Sequence, residues 1–403
     1  MSEVEGSSPV EPAGLRETAA AVPMVHPQVV CHSCEREVPD GEFCGACGAH
    51  LTDTQPSGAD RRNAFAAHPG EQVLHLSVIS TMLPHLPHRQ AGPFRAALVA
   101  GTILLVALGL LDLTGPAIAA AAVIVPILYL IYLYEVEVYE DEPVAVIGGT
   151  FAIGALLGLP WALLTGRIVA QAMVTGHAQG SDTEAIFVVG VLLPVLGQVV
   201  MLAGALLLFF TRRYDEALDG FTFGAAAALG FTFTTTLVYL FPELQQGLFS
   251  EIPPFASALQ IIQTGLLIPL IYASTTGLIA GALWLRRGRV RSHVAQSWTT
   301  SLWASIAVAL GVQVALGLVT ILVSSTLVTV LAYLMVALLL LLWVRVALHH
   351  MLLAEAVDVS VGPDGICSHC HRIVPRMAFC PHCGIATRAT PKSGPGRAGR
   401  AVR

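Results

Sequence analysis

From position 94 to 348 the chain is built of long apolar runs separated by short polar breaks. The runs lie near 94–111, 115–134, 144–165, 185–210, 220–240, 259–285, 300–323 and 326–348. Each approaches the roughly 20 residues that a helix needs to cross about 30 Å of hydrocarbon. The pattern predicts an all-α, polytopic transmembrane helical bundle of about eight spans over residues 93–350. Residues 1–29 and 51–92 show no sustained period and read as a disordered tail and a linker; 351–365 reads as a second linker and 388–403 as a basic disordered tail. Between these lie two short Cys-containing modules, 30–50 and 366–387.

Composition agrees with a bilayer as solvent: 55% hydrophobic residues, 12% charged residues and a mean hydropathy of +0.70 exclude an ordinary soluble chain of 403 residues. Met1 to Ala20 is acidic and lacks an apolar stretch, so the first span is expected to act as the insertion signal. Arginines set the orientation. Arg212 and Arg213 lie in one short loop, Arg286, Arg287, Arg289 and Arg291 in another, and Arg345 closes the final span, whereas the opposite side has little beyond Arg167. The positive-inside rule then predicts a multi-pass protein of the cytoplasmic (inner) membrane with both termini in the cytoplasm. The acidic loop 135–143 falls on that same side, a tension the rule tolerates because acidic residues weigh little in it.

The eight cysteines form two sets with one spacing, C-x2-C-x9-C-x2-C: Cys31, Cys34, Cys44, Cys47 and Cys367, Cys370, Cys380, Cys383. Two knuckles of this kind present four thiolates to one tetrahedral zinc ion. Two structural zinc ions are therefore expected, one in each of two zinc ribbons. Arg36, Val38, Pro39, Phe43 and Gly48 recur in register as Arg372, Val374, Pro375, Phe379 and Gly384, the mark of a duplicated module. So short a segment cannot build a sufficient core, and the metal must supply most of its folding free energy, on the order of 10–16 kcal/mol in small zinc peptides. Disulfides are disfavoured by a cytoplasmic location. His32, His369, His371 and His382 sit beside shells that four thiolates already close. Arg36 stands against Glu35, Glu37, Asp40 and Glu42, so the first ribbon lacks the basic footprint of a nucleic-acid binder, and a protein partner suits it better. The basic tail of Arg388, Lys392, Arg397, Arg400 and Arg403 reads first as solvated, with contact to anionic lipid at about 1 kcal/mol per charge as the alternative, and lipid or nucleic acid stays open for it and the more basic C-terminal ribbon.

The stretch YLYEVEVYEDEPVAVIGGTFAIGALLG, then VLLPVLGQVVMLAGALLLFF, then YDEALDGFTFGAAAALGFTFTTTLVYL resembles the PrsW family of glutamic-type intramembrane metalloproteases over roughly 115–285. The resemblance implies a catalytic Glu-Glu pair followed one turn later by Lys, a Phe-x-x-x-Glu and a His in a following span. Here the acidic pair falls on Gly197 and Gln198, with Met201 or Leu202 where Lys is expected. Phe231 is kept, but Thr235 stands for the Glu and Tyr272 for the His. These degenerate positions imply a proteolytically inactive pseudoprotease, a membrane scaffold that binds lipid and a protein partner.

The residues themselves lead the same way. No His occurs between His177 and His293, and Glu184, Asp215, Glu216, Asp219, Glu243 and Glu251 fall in loops or at span ends. A charged group at a helix centre costs about 2.5–3.5 kcal/mol and persists only for function. What remains is a neutral patch: Gln198, Thr232, Thr234, Thr235, Thr236, Gln263, Tyr272, Ser274, Thr275 and Thr276. It serves either as interhelical glue or as the lining of a former active-site cleft. His68, His75, His85 and His88 form an irregular juxtamembrane run that reads as solvated. Two rival functions remain: an active intramembrane metalloprotease with atypical ligands, and a small-solute transporter or channel, which intramembrane charges or an inverted repeat would favour.

Overall fold

Apolar runs free of internal charge become helices because a chain in hydrocarbon must satisfy its own backbone hydrogen bonds. The computed structural model describes residues 27–51, 92–136, 144–178, 183–246, 254–287, 298–356 and 362–387, apart from positions 33, 112, 212, 213, 215, 368 and 369. Two short strands, β1 (Gln28–Val30) and β2 (Glu37–Pro39), precede the helices α1 (Gly92–Leu110), α2 (Thr114–Val136) and α3 (Val144–Ala178). Next come α4 (Thr183–Phe187), a π-helical segment Val188–Leu192, α5 (Leu193–Phe209) and α6 (Ala217–Gln246). Then follow α7 (Pro254–Gln260), a second π-helical segment Ile261–Leu267, α8 (Ile268–Arg287), α9 (Leu302–Leu322) and α10 (Thr326–Ala356). Strands β3 (Gly362–Ile366) and β4 (Ile373–Arg376) close the described chain.

The protein is a polytopic helical bundle with a small Cys-rich module near each end. Among the described residues six stretches are long and apolar enough to span: Ala145–Val169, Val188–Phe209, Ala217–Pro242, Phe255–Arg287, Leu302–Leu322 and Thr326–Ala354. The first two expected spans correspond to α1 and α2, whose apolar stretches Arg95–Leu110 and Gly115–Leu128 are shorter, so the expected count of eight is approximate. Helices also outrun the hydropathy boundaries: α3 continues to Ala178 and α10 to Ala356. Hydropathy reads where the side chains are apolar, whereas a helix ends where its backbone pairing ends. The histidine run 68–88 and most of the acidic loop 135–143 lie outside the described residues.

Small residues decide the centre. The windows of α6 and of the α7–α8 stretch are 72% buried, against 28–33% for the other four spans, so these two form the core and the rest face lipid. Helix α6 carries GFTFGAAAALG, and its two sides meet α3 and α8 at backbone distance. On the α3 side, Gly154 faces the Ala227 carbonyl and Gly230 faces the Phe151 carbonyl, so neither has room for a Cβ; a Cβ at Gly158 would come within 2.7 Å of the Phe231 carbonyl. On the α8 side, Cβ atoms at Gly220 and Gly224 would stand 2.8 Å and 2.7 Å from the carbonyls of Ala280 and Thr276. Such close approach is how membrane helices gain packing energy without a hydrophobic drive. Leu98, Ile103, Leu163, Leu164, Val199 and Leu339 point outward as lipid-facing surface.

Gly230→Ala is expected to force α3 and α6 apart at a cost of about 1–3 kcal/mol, read as a lower unfolding midpoint in detergent. Gly311→Ala in α9, where a Cβ meets nothing within 4 Å, should leave that midpoint unchanged or raise it slightly, since Ala is the better helix former by about 1 kcal/mol.

Candidate metal centres and intramembrane cavity

Both Cys modules fold by the same local steps. In the first, β1 pairs antiparallel with β2, joining Val29 to Val38; in the second, β3 pairs with β4, joining Gly365 to Val374. Cys31 N–H donates to the Arg36 carbonyl at 3.0 Å, and Cys367 N–H to the Arg372 carbonyl at 2.8 Å. These turns put Glu35 and His371 in the left-handed region, at φ 57° and 56°. The second knuckle turns at Gly48 and Gly384, with φ 75° and 70°, a conformation that favours glycine and explains its recurrence there.

All four sulfurs of each set lie within 4.8 Å of one another. Cys31–Cys47 and Cys34–Cys44 Sγ pairs are both 3.7 Å apart, and Cys367–Cys383 and Cys370–Cys380 both 3.9 Å. A tetrahedron with metal–sulfur bonds near 2.3 Å has edges of about 3.8 Å, so both sets fit a Zn²⁺-sized ion. All eight are free cysteines. Burial raises the Cys44 and Cys47 thiols. Cys380 is pushed up to about 12, first by the neighbouring Cys367 thiol and then by burial, and Cys383 rises for the same reasons. Four crowded thiols resist ionising together, and a divalent cation would offset that repulsion.

Six of the ten residues of the neutral intramembrane patch fall into two groups. The first is a closed network. Gln198 Nε2 donates to Thr276 Oγ1 at 2.9 Å, while Gln198 Oε1 accepts from Thr275 Oγ1 at 3.2 Å and from Gln313 Nε2 at 3.1 Å. Gln313 Nε2 also lies 3.3 Å from Thr275 Oγ1. All four side chains are buried, and they tie α5, α8 and α9 together. Thr276 Oγ1 reaches Met201 Sδ at 4.0 Å. Gln313 escaped the sequence reading; its signal was a lone amide inside LWASIAVALGVQVALGLVTIL.

The second group lines a cavity of about 310 Å³. Thr235, Thr236 and Tyr272 reach it together with Gln260 and Thr264, and Trp161, Phe231, Tyr239 and Ile118 form its apolar wall. Of the four positions singled out from the sequence, Thr235 and Tyr272 thus share the cavity and Gln198 sits in the network. A Cβ at Gly197 would stand 3.5 Å from the Trp161 ring, one wall of the cavity. Thr232 bonds only within its own helix, to the Ala228 and Leu229 carbonyls at 3.0 and 3.1 Å. Tyr239 accepts or donates a 2.8 Å bond with Thr165 at the cavity edge.

A family model described as PrsW family intramembrane metalloprotease matches residues 142–344, just over half of the chain. The chain belongs to this family. No curated protein and no solved structure matches it. The matched region holds α3 to α9 and most of α10 and leaves both Cys modules outside. The family's description implies an intramembrane metal. The residues around the network and the cavity do not fit one: they are amides, hydroxyls, a thioether and aromatic rings. Among the described residues, the groups of His, Cys, Asp and Glu able to hold a metal ion are the two Cys sets.

Because Gln198 sits at the centre of the network, cutting it takes a partner from each of the other three members. Gln198→Leu should cost about 1–3 kcal/mol by taking the amide partner from Thr276 Oγ1 and one of two partners from Gln313 Nε2, while Thr275 Oγ1 keeps the Ile271 and Tyr272 carbonyls. The double substitution Gln198→Leu with Gln313→Leu should recover part of that loss, a non-additivity measurable by thermal unfolding in detergent.

Proposed function

We propose that this PrsW-family protein is a proteolytically inactive membrane scaffold whose cavity receives a membrane partner and whose ends carry two structural zinc ribbons, spanning 30–50 and 366–387. The observation that carries the reading is the chemistry of the positions assigned to catalysis. Gly197, Met201, Thr235 and Tyr272 offer no carboxylate, amine or imidazole, and Gln198 is committed on both ends of its amide to neighbours. Hydrolysis within a membrane needs a metal-bound water, an activated nucleophile or a carboxylate pair, and neutral amides and hydroxyls supply none of these. The cavity keeps the shape of a binding site, with aromatic walls and a few hydroxyls and amides to orient a neutral ligand.

Membrane orientation follows from charge. The ends of α5, α8 and α10 share one side of the bundle with the ribbons; there Arg287 donates to the carbonyls of Phe209 and Thr211 and stacks on the Phe209 ring. Arginines on that side, taken with the positive-inside rule, support a cytoplasmic location for both termini in the cytoplasmic membrane. A transmembrane segment of another protein is the occupant that a site of this lineage favours.

Two measurements test the reading. Elemental analysis of the purified full chain should give two zinc ions per chain, both lost on chelation with the bundle still folded; more than two, or cleavage of a captured segment, supports the rival active protease. Photocrosslinking from the cavity in native membranes should trap a partner in the unsubstituted chain and lose it in Thr235→Leu with Thr236→Leu. Unchanged capture in that variant would mean that the threonines are interhelical glue and that the cavity is not the docking site.

A further inference from the structure

The two Cys modules do not sit apart. They pair with each other through a two-fold relation between their duplicated sequences. Phe43 N–H donates to the Pro381 carbonyl at 2.9 Å, and Phe379 N–H donates to the Gly45 carbonyl at 2.9 Å. In the repeat, Phe379 is the counterpart of Phe43 and Pro381 of Gly45, so the two bonds are one interaction made twice. Side chains follow the same relation: Gly41 abuts Pro381, and Gly45 abuts Met377, the counterpart of Gly41.

Support for the pair runs in one direction. Met377 is buried in the core of the first ribbon, against Cys31, Val38 and Cys44. Gly41, at the equivalent place, returns no side chain. The second ribbon instead packs Ala378, Phe379 and Ala386 on Leu218 of α6 and on Leu348, Leu352 and Leu353 of α10. The first ribbon therefore leans on the second, and the second leans on the membrane bundle.

We infer that the ribbons form a single bipartite zinc clasp in which occupancy at each site raises affinity at the other, with the C-terminal site as the anchor that holds both chain ends on the α6–α10 end of the bundle. The inference rests on the zinc reading above. Two modules of under 25 residues gain folding free energy from metal and from contact alike. A contact that only folded ribbons can make couples the two metal equilibria, and that coupling is reciprocal. The anchor retains helix contacts that its partner lacks, so it keeps the higher affinity once the pair is separated.

The test is zinc competition with a chromophoric chelator on the full chain in detergent, with three kinds of variant. Gly41→Ala and Met377→Ser disturb the interface and keep every thiolate; Gly41 is not among the residues with positive φ, so Ala suits its backbone. Cys380→Ser with Cys383→Ser removes the C-terminal site, and Cys44→Ser with Cys47→Ser removes the N-terminal one. Expected is a loss of about tenfold in affinity at the N-terminal site in either interface variant and in the C-terminal knockout, within the usual range of coupling. The N-terminal knockout should still retain one zinc. Equal N-terminal affinity in the unsubstituted chain, the two interface variants and the C-terminal knockout would overturn the coupling while leaving the zinc reading of the unsubstituted chain intact. An unsubstituted chain that binds no zinc would instead overturn the zinc reading itself, and this inference with it.

Discussion

Everything in the membrane region depends on how closely α6 approaches its two neighbours. Lipid gives helices no hydrophobic reason to associate, so their contact has to be made by dispersion and by backbone proximity. Glycines at 154, 158 and 230 remove the side chains between α3 and α6, and those at 220 and 224 do the same between α6 and α8. Three backbones come into contact, and the remaining helices are free to present Leu and Val to the bilayer. The cavity and the amide network exist because this triple layer is fixed: Trp161 is placed by α3, Phe231 and Thr235 by α6, and Tyr272 and Thr275 by α8.

On such a scaffold neutral polar groups are more favourable for stability than ionisable ones. A buried charge in the bilayer costs several kcal/mol unless a metal or counter-ion offsets it, whereas interhelical bonds between amides and hydroxyls contribute about 0.6 kcal/mol each and carry no such penalty. Gln198 shows the difference at one residue. A carboxylate there would face two threonine hydroxyls and the Gln313 amide, none of them a cation; the amide both donates and accepts, and so satisfies partners on α8 and α9 together.

How much of this could be read from the sequence depended on how local each feature is. Hydropathy found the long helices because burial in lipid needs only composition, and it misplaced their ends because composition is silent about where backbone pairing stops. The Cys sets were legible because each is assembled within 17 residues, from Cys31 to Cys47 and from Cys367 to Cys383, and a fixed spacing encodes its geometry. Gln260 and Thr264 were missed at the cavity because the π-helical segment Ile261–Leu267 shifts the phase of the helix, so a 3.6-residue period assigns the wrong faces there. Ribbon pairing left no trace to read: its bonds join backbone groups more than 300 residues apart in sequence.

Two points on α6 bring the parts of the molecule into one frame. Leu218, in its first turn, bears the C-terminal ribbon, and Thr235 and Thr236 meet the cavity 17 and 18 residues later, about 25 Å along the axis. Between these points α6 is held on two sides by carbonyl-to-glycine contacts that a slide of a fraction of a turn would turn into overlaps. It therefore cannot shift alone. Any displacement at Leu218 must carry α3 and α8 along as a layer, and Trp161 and Tyr272, which close the cavity from those helices, would move with it. The same close packing that makes the bundle stable thus restricts communication between its ends to motion of the whole layer.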